Sequence, residues 1–223
     1  MSKKIFLFVF IFLATKLVSG QTNSGFNYNI GVKLFSFAQP PLIVNNQSNS
    51  NNEPTYLPGL LLKINDNQIA YRIGFDYFTK NNFKFNNADT SSGKGKYSQY
   101  AFTLGFERDL STTSFKPYFG ADIGFIHTEF NGQQNRPGPA SYSMLHTIKN
   151  GFLLSPFVGI KYNFIPRLYV SLESSISFLY AYNRVQNTNV VTSNVPVTHF
   201  TRSEFLTAPI SLIGLHYNFA SSN

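Results

Sequence analysis

Between residues 27 and 219, bulky apolar side chains recur at every second position in eight stretches, roughly 27–37, 56–65, 69–79, 97–108, 115–127, 151–164, 168–180 and 203–219. A period of two marks a β-strand with one apolar face. Aromatic and β-branched residues dominate these stretches, Gly recurs inside them, and no helical period competes. Each is long for a globular strand, and most reach the roughly 9–11 residues that a tilted strand needs to cross a bilayer.

The two faces differ in bulk as well as polarity. In 69–79, Ile69, Tyr71, Ile73, Phe75 and Tyr77 oppose Ala70, Arg72, Gly74 and Asp76. In 97–108, Tyr100, Phe102, Leu104 and Phe106 oppose Gln99, Ala101, Thr103, Gly105 and Glu107. Eight bulky faces turned inward would overfill a barrel whose interior is only just wide enough for side chains. Turned outward they meet lipid, and the small residues leave the lumen room for a few charges. The pattern therefore predicts an all-β fold, an eight-stranded antiparallel up-and-down transmembrane β-barrel, with a two-sheet sandwich whose outer face is wet as the alternative.

The connections support this reading. Long ones (38–54, 80–96, 128–150 and 181–202) alternate with short ones (65–68, 109–114 and 165–167). That puts four long loops at one end and both termini with three short turns at the other, the asymmetry of outer-membrane barrels. Asn45 to Asn52 is a low-complexity polar tip with no assigned chemistry. Every loop returns to the same alternation, so residues 21–223 form one barrel domain.

Composition narrows the choice further. The chain has 24 Phe and 13 Tyr but no Cys and no Trp, and its mean hydropathy is only -0.11. Without Cys there is no disulfide scaffold, thiolate metal site, Cys nucleophile or lipidated N-terminal Cys. Residues 1–20 read as a cleaved signal peptide: Lys3 and Lys4, an apolar run from Ile5 to Ala14, then Val18 and Gly20 before Gln21. Its removal takes the formal charge from +8 to +5, because Lys3, Lys4 and Lys16 are lost.

The remaining charges fall into two groups. Lys33, Lys63, Arg72 and Lys161 lie on expected lumen faces with Asp76, Glu107, Asp122 and Glu173, four against four. Buried charges must pair, so these eight form a candidate lumen network in which Arg72 bridges carboxylates of neighbouring strands. The long loops hold Lys80, Lys84, Lys94, Lys96, Arg136, Lys149, Arg184 and Arg202 against Glu53, Asp89 and Glu129. These eight bases are candidate contacts for phosphates of an outer leaflet, such as those of lipopolysaccharide.

With the signal peptide and the loop alternation, two motifs carry a resemblance: the turn Lys161-Tyr162-Asn163-Phe164-Ile165-Pro166-Arg167 and the ending Gly214-Leu215-His216-Tyr217-Asn218-Phe219. The chain resembles the small outer-membrane β-barrel proteins of Bacteroidota, with the layout of the OmpA-type eight-stranded barrel. Its ending looks like the C-terminal aromatic signal of barrel assembly, although Ala220 to Asn223 follow it. The resemblance implies residence in the outer membrane of a Gram-negative cell.

Candidate chemistry is sparse. His127, His146, His199 and His216 lack the His-x-Ser pairing of a barrel deacylase; only His199 has a hydroxyl, Thr201, at that spacing. Acidic residues are scattered, so no metal is expected. Ser92-Gly93-Lys94-Gly95-Lys96 resembles a phosphate loop but lacks the Walker spacing and a following helix. No cofactor and no nucleic-acid partner is expected, despite a pI near 9.6. The leading expectation is a non-enzymatic barrel with a plugged polar lumen, whose loops or periplasmic turns contact lipid or a protein partner. A narrow porin-like channel is the alternative, and a lipid-modifying enzyme stands third.

Overall fold

The computed structural model describes residues 27–44, 47, 51–66, 68–87, 91–135, 142–165, 167–189 and 195–219. The signal-peptide segment and Arg136 lie outside them. Eight antiparallel strands, β1 (Asn27–Ala38), β2 (Glu53–Asp66), β3 (Ile69–Asn86), β4 (Ser92–Asp109), β5 (Phe115–Asn135), β6 (Tyr142–Ile165), β7 (Leu168–Asn189) and β8 (Val197–Phe219), close into one barrel in sequence order. Closure pairs β1 with β8, from Tyr28 opposite Phe219 to Phe37 opposite Ile210. The short turns fall where the sequence puts them, between β2 and β3, β4 and β5, and β6 and β7.

The period-two pattern sorts as expected around the turn end. Ile73, Phe102, Leu104, Ile123, Val158 and Ile176 stand exposed on the outer wall, while Lys63, Arg72, Glu107 and Glu173 are buried inside. So much exposed aromatic and branched surface is out of place in water, where contiguous apolar patches stay small. A hydrocarbon solvent suits it.

The strands run further than the alternation indicates. Paired ladders continue to Asn86 opposite Ser92, to Asn135 opposite Tyr142 and to Gln186 opposite Val197. Most of what reads as long loop is thus strand, and Lys80, Lys84, Lys94, Lys96, Lys149, Arg184 and Arg202 sit on strand arms. The arms differ in character from the wall below. Their inner face carries the bulk: Phe83, Phe85, Tyr97, Phe130 and Leu145 gather with Ile43 into a buried cluster. Lys84, Lys94 and Lys96 point outward. Above the apolar girdle the outer face meets water, so the greasy side of β3, β4, β5 and β6 turns in.

Candidate functional site: the lumen charge network

The register places Lys63 opposite Arg72, Arg72 opposite Gly105 and Gly105 opposite Asp122. Gly105 is required here: a Cβ would stand 2.0 Å from Asp122 Oδ1 and 2.4 Å from the Ala121 carbonyl oxygen. Gly159 does the same for Tyr118, whose Cζ a Cβ would approach to 2.6 Å. The small residues of the inner faces are thus the space into which the long charged side chains fold.

Arg72 is the hub. Its guanidinium donates to both carboxylate oxygens of Glu173, at 3.0 and 3.1 Å, and to Glu107 at 3.1 Å. Its Nε lies 3.1 Å from Asp122 Oδ1, and its plane covers the Phe157 ring at 4.2 Å. A two-oxygen grip by a planar guanidinium fixes orientation as well as charge. Glu107 collects three cations: besides Arg72 it accepts from Lys63 at 2.8 Å and lies 2.6 Å from Lys161. Lys161 also donates to Asp109 at 2.6 Å. Tyr118 donates to Glu173 at 2.8 Å, and the Tyr118 and Tyr169 rings lie beside both lysines. Asp76 stands apart from Arg72 on the same strand and takes Lys33 at 2.8 Å.

Below this cluster His216 stacks on Tyr169 with ring centroids 4.5 Å apart. It bonds Ser171 at 2.7 Å and Asn29 at 3.1 Å, and Asn29 donates to Asn218 at 2.9 Å. Groups from all eight strands therefore meet across the lumen.

All eight expected lumen charges lie in these contacts. Asp109, Tyr118 and Tyr169 join them without a signal that charge counting could have caught: Asp109 reads as a turn residue, and the tyrosines as filling.

A second buried pair closes the long-loop end. Gln39 to Val44 turns into the mouth of the barrel, with Pro40 and Pro41 buried. The Gln39 amide donates to the Thr207 carbonyl at 2.8 Å. The Leu42 amide donates to Glu204 at 2.9 Å, and its carbonyl accepts from Lys149 at 2.8 Å. Lys149 is itself paired with Glu204.

This corrects the expectation for Lys149, which is 1% exposed and has no access to a lipid phosphate. Its inner-face position on β6, beside the inturned segment, is the reason. Lys80 is half-buried and pairs with Glu53, and Arg202 is half-buried. Lys84, Lys94, Lys96 and Arg184 are exposed, with Lys84 directly opposite Lys94.

The histidines outside the lumen hold local contacts: His127 with Asn150 at 2.6 Å, His146 with Glu129 at 2.9 Å, and His199 with the Tyr182 hydroxyl at 2.7 Å. Among the described residues no three His, Cys, Asp or Glu side chains gather as metal ligands.

No family model matches the chain, and no curated protein matches it. Among solved structures, the chain is similar to a major outer membrane protein from Thermus thermophilus, with 11% identity, 87% of this chain and 98% of that one covered, and a TM-score of 0.47. It is also similar to Neisserial surface protein A (NspA), with 17% identity, 89% and 100% covered, and a TM-score of 0.44.

Proposed function

We propose that this chain is an integral outer-membrane β-barrel whose lumen is plugged by its own side chains, with a structural or lipid- and partner-contacting role and no catalytic activity. The observation that carries the reading is the Arg72 cluster, in which side chains from β2, β3, β4, β5, β6 and β7 meet across the barrel axis. An eight-stranded interior has just enough width for such side chains. Charges so paired and so buried stay put, because separating one partner costs several kcal/mol. The inturned Gln39–Val44 segment and the aromatic cluster above it add a second closure.

The exposed bases Lys84, Lys94, Lys96 and Arg184 stand on the arms above the girdle, at the height where phosphates of lipopolysaccharide would lie. They support a lipid-contacting role at that end. Planar-bilayer recording tests the plug. The closed reading expects no discrete openings from the purified full-length chain, and reproducible unitary steps would favour the channel.

A further inference from the structure

Two seams end short of the arms. β8 leaves β1 beyond Phe37 opposite Ile210, where the Gln39–Thr207 bond and the inturned segment cover it. β3 leaves β2, where no such segment intervenes among the described residues. β2 and β3 pair only from Asp66 opposite Ile69 to Gly59 opposite Asp76. Beyond that rung, Glu53–Tyr56 of β2 pair with β1 alone, and Tyr77–Lys80 of β3 pair with β4 alone. β2 is built to leave its neighbour there. Its register against β1 shifts between Lys33 and Phe35, and Leu57 sits at φ 50°, a left-handed conformation that costs a non-glycine residue about 1–2 kcal/mol. Pro54 and Pro58 have no amide to donate, the kind of residue that unpaired strand edges accept. Among the described residues one ion pair, Lys80 to Glu53, joins the two lips across the gap.

Behind the gap lies a cavity of about 190 Å³ whose lining includes Glu53, Thr55 and Pro58 from one lip and Asp76, Tyr77 and Phe78 from the other. The Arg72 cluster is its floor, and Pro40 and Pro41 border it above. Its wall carries Lys33 and Arg72 against Glu53, Asp76, Asp122 and Glu173. With Lys80 on Glu53 and Lys33 on Asp76, one acid is in excess where Asp122 and Glu173 share Arg72. Hydroxyls such as Ser155, Ser175 and Ser177 line the rest. Tyr77 is the last of the outward apolar residues on β3, so the gap begins where the apolar girdle ends, and Tyr56 and Leu57 beside it are 77% and 68% exposed.

We infer that this gap is a lateral window through which a single-chain amphiphile with a cationic ammonium head passes from the outer leaflet, head into the acidic cavity and tail along Tyr56, Leu57 and Tyr77. The inference rests on the membrane reading above. Charge selects the head, since an anionic head would add to the acidic excess in a confined space. The apolar lip holds the tail, and the Lys80–Glu53 pair straps the window.

The chain has no cysteine, so Ser177→Cys gives the cavity a single reporter thiol. The full-length variant, reconstituted in phosphatidylcholine vesicles, is treated with a small methanethiosulfonate and its modification followed by mass. A ligand occupying the cavity slows modification by 1 + [L]/Kd, about fivefold at about four times its Kd. Dodecyltrimethylammonium is expected to give that protection, while dodecanoate and tetramethylammonium leave the rate within about twofold. Glu53→Gln in the same background removes the strap and is expected to speed modification several-fold. Equal protection by dodecanoate, equal protection by tetramethylammonium, no protection by any probe, or a thiol unreactive even with Glu53→Gln would each overturn the window. Flotation with the vesicles and heat-modifiable gel migration are scored separately: their loss refutes the membrane reading, whereas a floating, folded barrel without protection refutes the window alone.

Discussion

Replacing Arg72 by Ala removes the group that holds Glu173 through two hydrogen bonds, Glu107 through one and Asp122 through an ion pair. The consequences for the three carboxylates differ. Glu107 keeps Lys63 and Lys161. Glu173, whose side chain is 3% exposed, keeps the Tyr118 hydroxyl but loses the cation it is paired with. Asp122 loses its ion-pair partner. Removing one partner of a buried pair typically costs about 3–5 kcal/mol because the other charge stays desolvated. With a urea slope of about 2 kcal/mol per molar, the unfolding midpoint should fall by about 2 M. Arg72→Lys keeps the charge but loses the planar two-oxygen grip, so it should recover only part of that loss. The double variant Arg72→Ala/Glu173→Gln should lose less than the two single losses combined, by about 1–3 kcal/mol, because the second change removes the stranded charge. Equilibrium unfolding in lipid vesicles, followed by gel migration, reads the parent and every variant. Arg72 also lies in the floor of the 190 Å³ cavity, where Asp122 and Glu173 would remain. Cation-selective conductance should therefore appear in Arg72→Ala. A loss below about 1 kcal/mol, with the lumen still closed, would show that Arg72 does not organise the interior.

Leu104→Arg, on the exposed face, should destabilise the inserted barrel by about 2–4 kcal/mol, whereas Thr103→Arg, beside the acid-rich cavity, should cost far less; equal losses in vesicle unfolding would invert the face assignment. Lys149→Ala strands Glu204 and frees the Leu42 carbonyl, so it should make the Gln39–Val44 segment cleavable by added protease in intact vesicles, where the parent resists. Gly31→Ala places a Cβ 2.3 Å from His216 Nδ1 and should cost about 1–3 kcal/mol by overpacking, a loss that Gly31→Ala/His216→Ala should largely relieve. Replacing Lys84, Lys94, Lys96 and Arg184 together by Gln should weaken the binding of added lipopolysaccharide to the detergent-solubilised barrel at low salt and leave stability within about 0.5 kcal/mol.

The strand order, the faces and the lumen charges could be read in the sequence because a bilayer imposes one rule on the whole wall: bulk outward, small or charged residues inward. Arg72, between Ala70 and Gly74 on the same small-residue face, reads as a lumen side chain for that reason. The rule ends at the girdle, and so did the legibility. Above it Phe83, Phe85, Phe130 and Leu145 are the inner face and Lys84 and Asn131 the outer one. A stretch that changes polarity midway loses its period, and the arms look like loops. Lys149 shows the cost: in a sequence read as loop it counts as solvated, but its strand phase turns it inward to Glu204. Partner choice within the network depended on tilt and side-chain reach. Asp76 shares Arg72's face and strand, yet the register and the length of Lys33 give it a different partner.

The membrane-facing wall is the claim on which the rest depends, and fractionation of cells expressing the full chain tests it most directly. The expected result is recovery with the outer membrane, resistance to extraction by urea or alkaline carbonate, and faster gel migration of the unheated than of the boiled protein, since strands laddered all the way round the apolar girdle leave no edge within it from which to unravel. Recovery in the soluble periplasm, with identical migration before and after boiling, would contradict it.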